Sequence, residues 1–293
     1  MKKIRLIYNS KAGQSKFAPY LDKTIGKFCD AGFDLEIFRV SEGHDVDNFV
    51  KTTPSDTYAI VVAGGDGTIN RVVNIMMKNN IKVPLGIIPA GTSNDFAHHL
   101  KLSNDFYECV DNIINGNLEK IDVAKVNDQY FINILVAGFL AATSYKTDKK
   151  LKSVLGQAAY YMTAVNESLK YAPFVAKIET PDAILEEKIM VFAVFNGSSI
   201  GRIDKFTHES SVQDGKLDIV FVRDCKITDV LRVIGELEDR SYIEDQNVIY
   251  LRESKFKISI ISGSCDRPDT DGDVGPDFPL DIECIPGGIQ IYM

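Results

Sequence analysis

Up to about residue 123 the hydrophobic positions switch between a strand period and a helix period. "IRLIY" reads as a strand, "YLDKTIGKFCDAG" as a helix ending at a glycine, and "FDLEIFRV" as a second strand. "DTYAIVVAGG" continues as a third strand, "INRVVNIMMKN" as a helix, "VPLGIIPAG" as a fourth strand and "DFYECVDNIING" as another helix. Ile69, Val72, Val73, Met76 and Met77 recur at helical spacing, so that helix gives one face to a sheet and its methionines belong to the core. Strand and helix in turn predict an α/β domain, a parallel sheet with helices on both faces.

Beyond residue 123 the pattern turns to short β-like runs: "KIDVAKV", "YFINILVAG", "FVAKIET", "KIMVFAVFNG", "KLDIVFV", "KFKISII", "PLDIECI" and "GIQIYM". In "KLDIVFV", Leu217, Ile219 and Phe221 alternate with Lys216, Asp218 and Val220, which predicts a half-buried antiparallel strand. The second domain is therefore expected to be a mostly antiparallel β-sandwich. A helical pattern from Lys150 to Leu169 interrupts it, with Leu151, Leu155, Ala158, Met162, Val165 and Leu169 in step, and "ITDVLRVIGEL" gives a shorter helix. The expected domains are 1–123, which 287–293 could rejoin, and 124–286.

Composition narrows the function. A net charge of -8 over 293 residues opposes a nucleic-acid binder that works by neutralising phosphates. No apolar run reaches the roughly 18 residues of a spanning helix, and "MKKIRLIYNS" lacks a signal-peptide core, so a cytoplasmic protein is expected. Cys29, Cys109, Cys225, Cys265 and Cys284 form no C-x-x-C pair and read as reduced structural thiols.

The chemistry lies in three glycine turns, each following a strand of the first domain. Gly64-Gly65-Asp66-Gly67-Thr68 places flexible amides at a helix N-terminus, an arrangement that binds phosphate. It also fits a plain turn capped by Asp66 or Thr68. It matches neither a Walker A loop nor G-x-G-x-x-G. Asp66 would repel phosphate unless a cation lay between them, which points to Mg²⁺ carrying a nucleotide. "YNSKAGQSK" supplies Asn9, Gly13 and Lys16, and "IIPAGTSNDF" supplies Gly91, Thr92, Asn94 and Asp95, with Thr92 or Ser93 as a candidate cap. Carboxyl ends of parallel strands share one edge, so the three loops can meet in one crevice. In "TDGDVGPDF", Asp271 and Asp273 are two apart, which in one strand puts both carboxylates on one face. Such a pair suits one member to take a proton.

"GGDGTIN", "PAGTSNDFA" and "YNSKAG", followed in order by "YFINILVAG", "VFNG", "VQDGKLDI" and "TDGD", resemble the diacylglycerol kinase catalytic domain family of bacterial lipid kinases, relatives of sphingosine and ceramide kinases. The resemblance spans nearly the whole chain. It implies a nucleotide-binding α/β domain followed by a β-sandwich, with ATP and Mg²⁺ serving phosphoryl transfer to a lipid hydroxyl, most simply diacylglycerol. The nucleotide set would be Asn9, Ser10, Lys11, Ala12, Gly13, Lys16, Ser41, Gly64, Gly65, Asp66, Gly67, Thr68, Asn70, Arg71, Gly91, Thr92, Asn94 and Asp95. The catalytic set would be Asp273, Asp271 and Asp66, with Asp273 as base where the family usually has glutamate. A structural Mg²⁺ would sit on Asp214, with carbonyls from Ser211 and Lys216, although Asp214-Gly215 also reads as a simple hairpin turn. Arg71 stands where the family commonly has glutamate, and Asp122 matches an aspartate at the domain junction.

A lipid acceptor implies peripheral contact with the inner membrane face. The segment around Lys150, Lys152, Tyr160, Tyr161 and Lys170 could supply it, or could be core. Edge strands such as "GIQIYM" could pair two copies into a homodimer. Two other readings stay open: an NAD kinase, which shares GGDGT, and a nucleotide or lipid sensor with a degenerate site.

Overall fold

The computed structural model describes residues 2–41, 45–139, 172–197, 199–200, 203–204, 210–236 and 240–293. The helical pattern at 150–169 and the candidate interfacial face within it lie outside these residues. The chain divides into two compact units, one running through Val123 and resuming at Pro286–Met293, the other Ala124–Ile285.

The first unit contains β1 (Lys2–Asn9), α1 (Leu21–Asp30), β2 (Phe33–Val40), α2 (Val46–Lys51), β3 (Ala59–Gly64), α3 (Asp66–Lys78), β4 (Leu85–Pro89), α4 (Asp95–His99) and α5 (Phe106–Asn115). The strands run in the order β2-β1-β3-β4, all parallel. Residues of β1 and β3 alternate between two faces. Ile4, Leu6, Ala59, Val61 and Ala63 pack with Phe28 of α1 and with Cys109, Val110 and Ile113 of α5. Arg5 points the other way, donating to the Phe49 carbonyl of α2 and pairing with Glu36. Both faces of the sheet are thus covered, which is why β3 is apolar along its whole length. In α3, Ile69, Val72, Val73 and Met76 are buried and Met77 is half-buried. Two helices begin at aspartate caps: Asp45 accepts from Asn48 N–H, and Asp105 from Tyr107 and Glu108 N–H.

β5 (Leu118–Val126) leads into the second unit, with β6 (Gln129–Phe131), β7 (Ile134–Gly138), β8 (Phe174–Glu179), β9 (Ile184–Phe195), β10 (Ser199–Ile200), β11 (Ile203–Asp204) and β12 (Leu217–Arg223). Then follow α6 (Ile227–Gly235), β13 (Val248–Glu253), β14 (Lys255–Ser262), β15 (Asp269–Thr270), β16 (Asp273–Val274) and β17 (Leu280–Tyr292). The pairings within this unit are antiparallel: β9 joins β7, β8 and β12 along different stretches, and β14 joins β8 and β17. The core between the layers includes Phe131, Phe174, Phe192, Leu217, Phe221 and Phe256.

Four expectations change. "KLDIVFV" is buried on both faces, because Val230 and Val233 of α6, with Tyr242 and Val248, pack against Val220 and Val222. "YFINILVAG" is two strands separated at Ile132-Asn133, where backbone amides turn to a side chain described below. "PLDIECI" and "GIQIYM" form the single strand β17, whose Ile291 pairs parallel with Leu85 of β4, while Met293 N–H donates to the Asn117 carbonyl on the other flank. "GIQIYM" is therefore not an open edge. Finally, α2 and β13 carry no strong period in the sequence and appear only in the structure.

Among the described residues no helix is long and apolar enough to cross a membrane. The five cysteines are free thiols, and burial pushes those of Cys109 and Cys265 up to about 12. In α6, Arg232 pairs with Glu236 and with Asp245, and the guanidinium holds the Asp245 carboxyl below the usual carboxylate range.

Candidate active site

The three glycine turns of the first unit pack against one another. Asn9, closing β1, accepts from Lys11 N–H at 3.0 Å and donates through Nδ2 to Thr68 Oγ1 at 3.2 Å, so the first loop is tied to the start of α3. Gly13 has φ +52°, and a Cβ there would lie 2.4 Å from the Ala90 carbonyl oxygen. A Cβ on Gly91 would lie 2.5 Å from Gly65 Cα. These glycines let three backbones touch, which side chains would prevent.

The loop after β4 is locked internally by Asn94, at φ +56°, which accepts from Gly91 N–H at 2.7 Å. Asn94 is also the residue that precedes α4, so neither Thr92 nor Ser93 caps it; both are exposed. Asp66 is not a cap either. Gly65 occupies the N-cap of α3 without a side-chain hydrogen bond, and Asp66 is the first helical residue. Its Oδ1 accepts from Phe96 N–H of α4 at 3.1 Å. The N-terminus of a 13-residue helix is thereby left uncapped between two other loops, with its leading amides outside the helical ladder and its dipole favouring an anion. Gly67 lies in that first turn, and a Cβ there would have no atom within 4 Å.

The remaining residues of the set divide. Ser10, Ala12, Ser41 and Asp95 are half-buried and Lys11 is exposed. Asn70 is buried and its Oδ1 accepts from Asn74 Nδ2 at 3.1 Å, an engagement within α3. Arg71 is turned to α2, where it pairs with Asp47 at 2.8 Å. Lys16 lines an open depression of about 280 Å³ with Tyr20 and residues Asn104, Asp105, Phe106 and Tyr107. Asp122 is buried and accepts from Gly287 N–H at 2.7 Å.

In the second unit, Asp271 and Asp273 do not share a strand face. Thr270 pairs with Asp273, which makes Asp271-Gly272 the two-residue turn of the β15–β16 hairpin, both at positive φ, +51° and +90°. The Asp271 carboxylate accepts from the N–H groups of Ile132, Asn133 and Ile134 at 2.7, 3.1 and 2.9 Å. Asp273, on β16, is exposed.

Asp214 accepts from Ser211 N–H at 2.7 Å, from Lys216 N–H at 2.8 Å and from Arg252 Nη2 at 2.8 Å. A guanidinium thus balances this carboxylate and two backbone amides bind it, so a Mg²⁺ held by Asp214 with the Ser211 and Lys216 carbonyls would have to share it with Arg252. At Asp66 a single carboxylate could hold Mg²⁺ only together with oxygens brought by a nucleotide.

Two polar residues are given no role from the sequence. Asp218 is buried beneath Ser210 and Tyr250, which both donate to it, and burial raises its carboxyl above the ordinary value. Asn196, the third residue of "VFNG", is buried and donates through Nδ2 to the Ile132 carbonyl at 3.1 Å.

The chain is similar along its whole length to known proteins. Residues 3–126 match the diacylglycerol kinase catalytic domain, and residues 133–293 match a domain described as a YegS C-terminal NAD kinase beta sandwich-like domain. A diacylglycerol kinase of Bacillus subtilis strain 168 is 33% identical over 262 residues, 89% of this chain and 86% of the relative. One of Staphylococcus carnosus strain TM300 is 28% identical over 292 residues, 99% of this chain and 95% of that protein. A crystal structure of a diacylglycerol kinase from Bacillus anthracis strain Sterne superposes with a TM-score of 0.80 at 28% identity, covering 99% of this chain and 96% of the other.

Proposed function

The chain belongs to the diacylglycerol kinase family and is an ATP-dependent lipid kinase, and we propose that it moves the γ-phosphoryl group of ATP onto the free hydroxyl of diacylglycerol, giving phosphatidic acid. The observation that carries this reading is the meeting of three glycine loops at the uncapped N-terminus of α3.

In this reading the amides at the start of α3, around Gly65 and Gly67, hold the nucleotide phosphates, at a fixed position and without reorganisation when charge moves. Asp66 would help hold a Mg²⁺ brought by the nucleotide, which would supply charge neutralisation at the phosphates. Phe96 N–H holds the Asp66 carboxylate in place. The acceptor hydroxyl oxygen forms a bond to the γ-phosphorus while the bond from that phosphorus to the β,γ-bridging oxygen breaks, its electron pair leaving with ADP. The hydroxyl proton passes to Asp273, whose exposure on β16 allows it to meet a substrate. Aspartate is a methylene shorter than glutamate, so Asp273 reaches about 1.5 Å less far and the acceptor must come correspondingly closer. Diacylglycerol resides in a bilayer, so the enzyme works in transient contact with a membrane surface.

Transfer from γ-labelled ATP to diacylglycerol in mixed micelles, with the product identified by chromatography, tests the proposal. NAD as acceptor is the control arm: labelled NADP formed in place of phosphatidic acid would overturn the choice of substrate.

A further inference from the structure

Asp273 lies one residue beyond a two-residue turn in a hairpin whose strands β15 and β16 are two residues each, too short to hold a base still by themselves. β15 pairs with β7 at Asp269–Val136 and Thr270–Leu135, and the turn beyond that short ladder is held at the break between β6 and β7. Ile132, Asn133 and Ile134 present three N–H groups and three carbonyls, and the structure shows where all six go. The three N–H groups donate to the Asp271 carboxylate, using both oxygens. The Ile134 carbonyl accepts from Asp271 N–H at 2.9 Å. The Asn133 carbonyl accepts from Asn196 N–H at 2.9 Å, and the Ile132 carbonyl from Asn196 Nδ2 at 3.1 Å.

Two residues, from the "VFNG" and "TDGD" segments, therefore take up the whole backbone of a tripeptide. A further bond, Gly272 N–H to Asp269 Oδ1 at 2.7 Å, closes the turn itself. Building on the kinase reading, we propose that Asp271 and Asn196 are positioning residues: together they seize residues 132–134 and fix the hairpin that presents Asp273, and Asp271 takes no proton. At φ +51° glycine would sit with less strain than any residue with a Cβ. Asp-Gly is also a favoured pair in such a turn, so the turn accepts an aspartate without calling for its charge to be bound by three amides. The three amides use that charge, because a charged acceptor bound by several N–H groups is the stronger kind of hydrogen bond.

Asp271→Gly separates the two roles. If Asp271 serves only the turn, glycine is as good or better. If it is the clamp, Asp271→Gly loses about tenfold or more in kcat, since misplacing a reacting group by 1 Å can cost on the order of 10²-fold, while its Kd for ATP stays near the wild-type value. Amide hydrogen exchange at Ile132–Ile134 should accelerate in the same variant, a readout independent of activity. Asp271→Asn, with one acceptor oxygen left, should fall between the two and keep the acid limb of the pH–rate profile, which Asp273→Asn should abolish. Asn196→Ala should also speed exchange at these amides, and a cycle with Asp271→Asn should be non-additive; should Asn196→Ala not fold, the Asp271→Gly result decides.

Wild-type kcat in Asp271→Gly, or unchanged exchange at the three amides, overturns the clamp. Loss of the acid limb in Asp271→Asn with its retention in Asp273→Asn makes Asp271 the base and overturns the division of roles. A wild-type enzyme that converts no diacylglycerol counts against the function proposed above, and the exchange experiment still decides the clamp.

Discussion

Asp66 Oδ1 lies 3.1 Å from Phe96 N, so the first residue of α3 is bonded to the first turn of α4. One carboxylate thereby joins two of the three glycine loops, and in the function proposed above it also serves the metal-bound triphosphate. Asp66→Ala is expected to lower kcat/KM for ATP by about 10² or more, the scale of losing one preorganised charge contact. Initial rates against ATP and Mg²⁺ check it; unchanged dependence on both would remove Asp66 from the site.

Gly67 and Gly91 should respond oppositely to a methyl group. Around Gly67 there is open space and its φ is not positive, so Gly67→Ala should gain about 0.5–1 kcal/mol of helix stability. Its turnover should nevertheless fall, because the space is where the backbone meets a ligand. In Gly91→Ala the new Cβ would meet Gly65 Cα at 2.5 Å and force the loops apart, at roughly 1–3 kcal/mol in folding. Paired melting curves and ATP titrations separate the two effects, and a Gly67→Ala enzyme as active as wild type would count against phosphate binding at that turn.

Arg252 is expected to hold the Asp214 turn without an ion. Excess EDTA should leave the melting temperature of the nucleotide-free protein unchanged. Arg252→Met should lower stability by about 1.5–3 kcal/mol, the range for a hydrogen bond to a charged group. A melting temperature that falls with EDTA in the wild type would restore the metal to this site.

Acid should weaken the second unit through Asp245. Arg232 depresses the Asp245 carboxyl below its ordinary value of 3.8, so the stabilisation is fully present above that value. It is lost as pH falls below 3.8 toward the folded-state value, where the native carboxylate takes up its proton. Asp245→Asn should be less stable than wild type at about pH 6, with the difference shrinking as the pH is lowered through that range. Urea unfolding at a series of pH values measures it, and a constant difference would exclude the pair as the source.

Much of the first unit was legible because its signals are local. The apolar run Ile60–Ala63 is a strand buried on both faces, and the 3.6-residue spacing from Ile69 to Met76 gives α3 its sheet-facing side. The glycine loops were legible as three separate turns. Their contact was an inference from strand topology, and the bonds that make it, Asn9 to Thr68 and Phe96 to Asp66, join residues 59 and 30 apart. What stayed hidden in the second unit is of longer range still. Nothing near Ile132 says that its strand must break there, because the carboxylate that takes its N–H is 139 residues away. Asp218 looked like a solvent-facing position in an alternating strand, since the period does not show that α6 would cover that face.

The placement of Pro286–Met293 in the first unit, with Ile291 beside Leu85, bears on how the protein is made. A ribosome releases β1 to β4 long before it releases their last neighbour. Until then β4 has a bare flank, and a nascent chain stalled or cut before Pro286 would expose an unpaired parallel edge. The first unit thus closes only after the second has been synthesised, which couples the assembly of one to the making of the other.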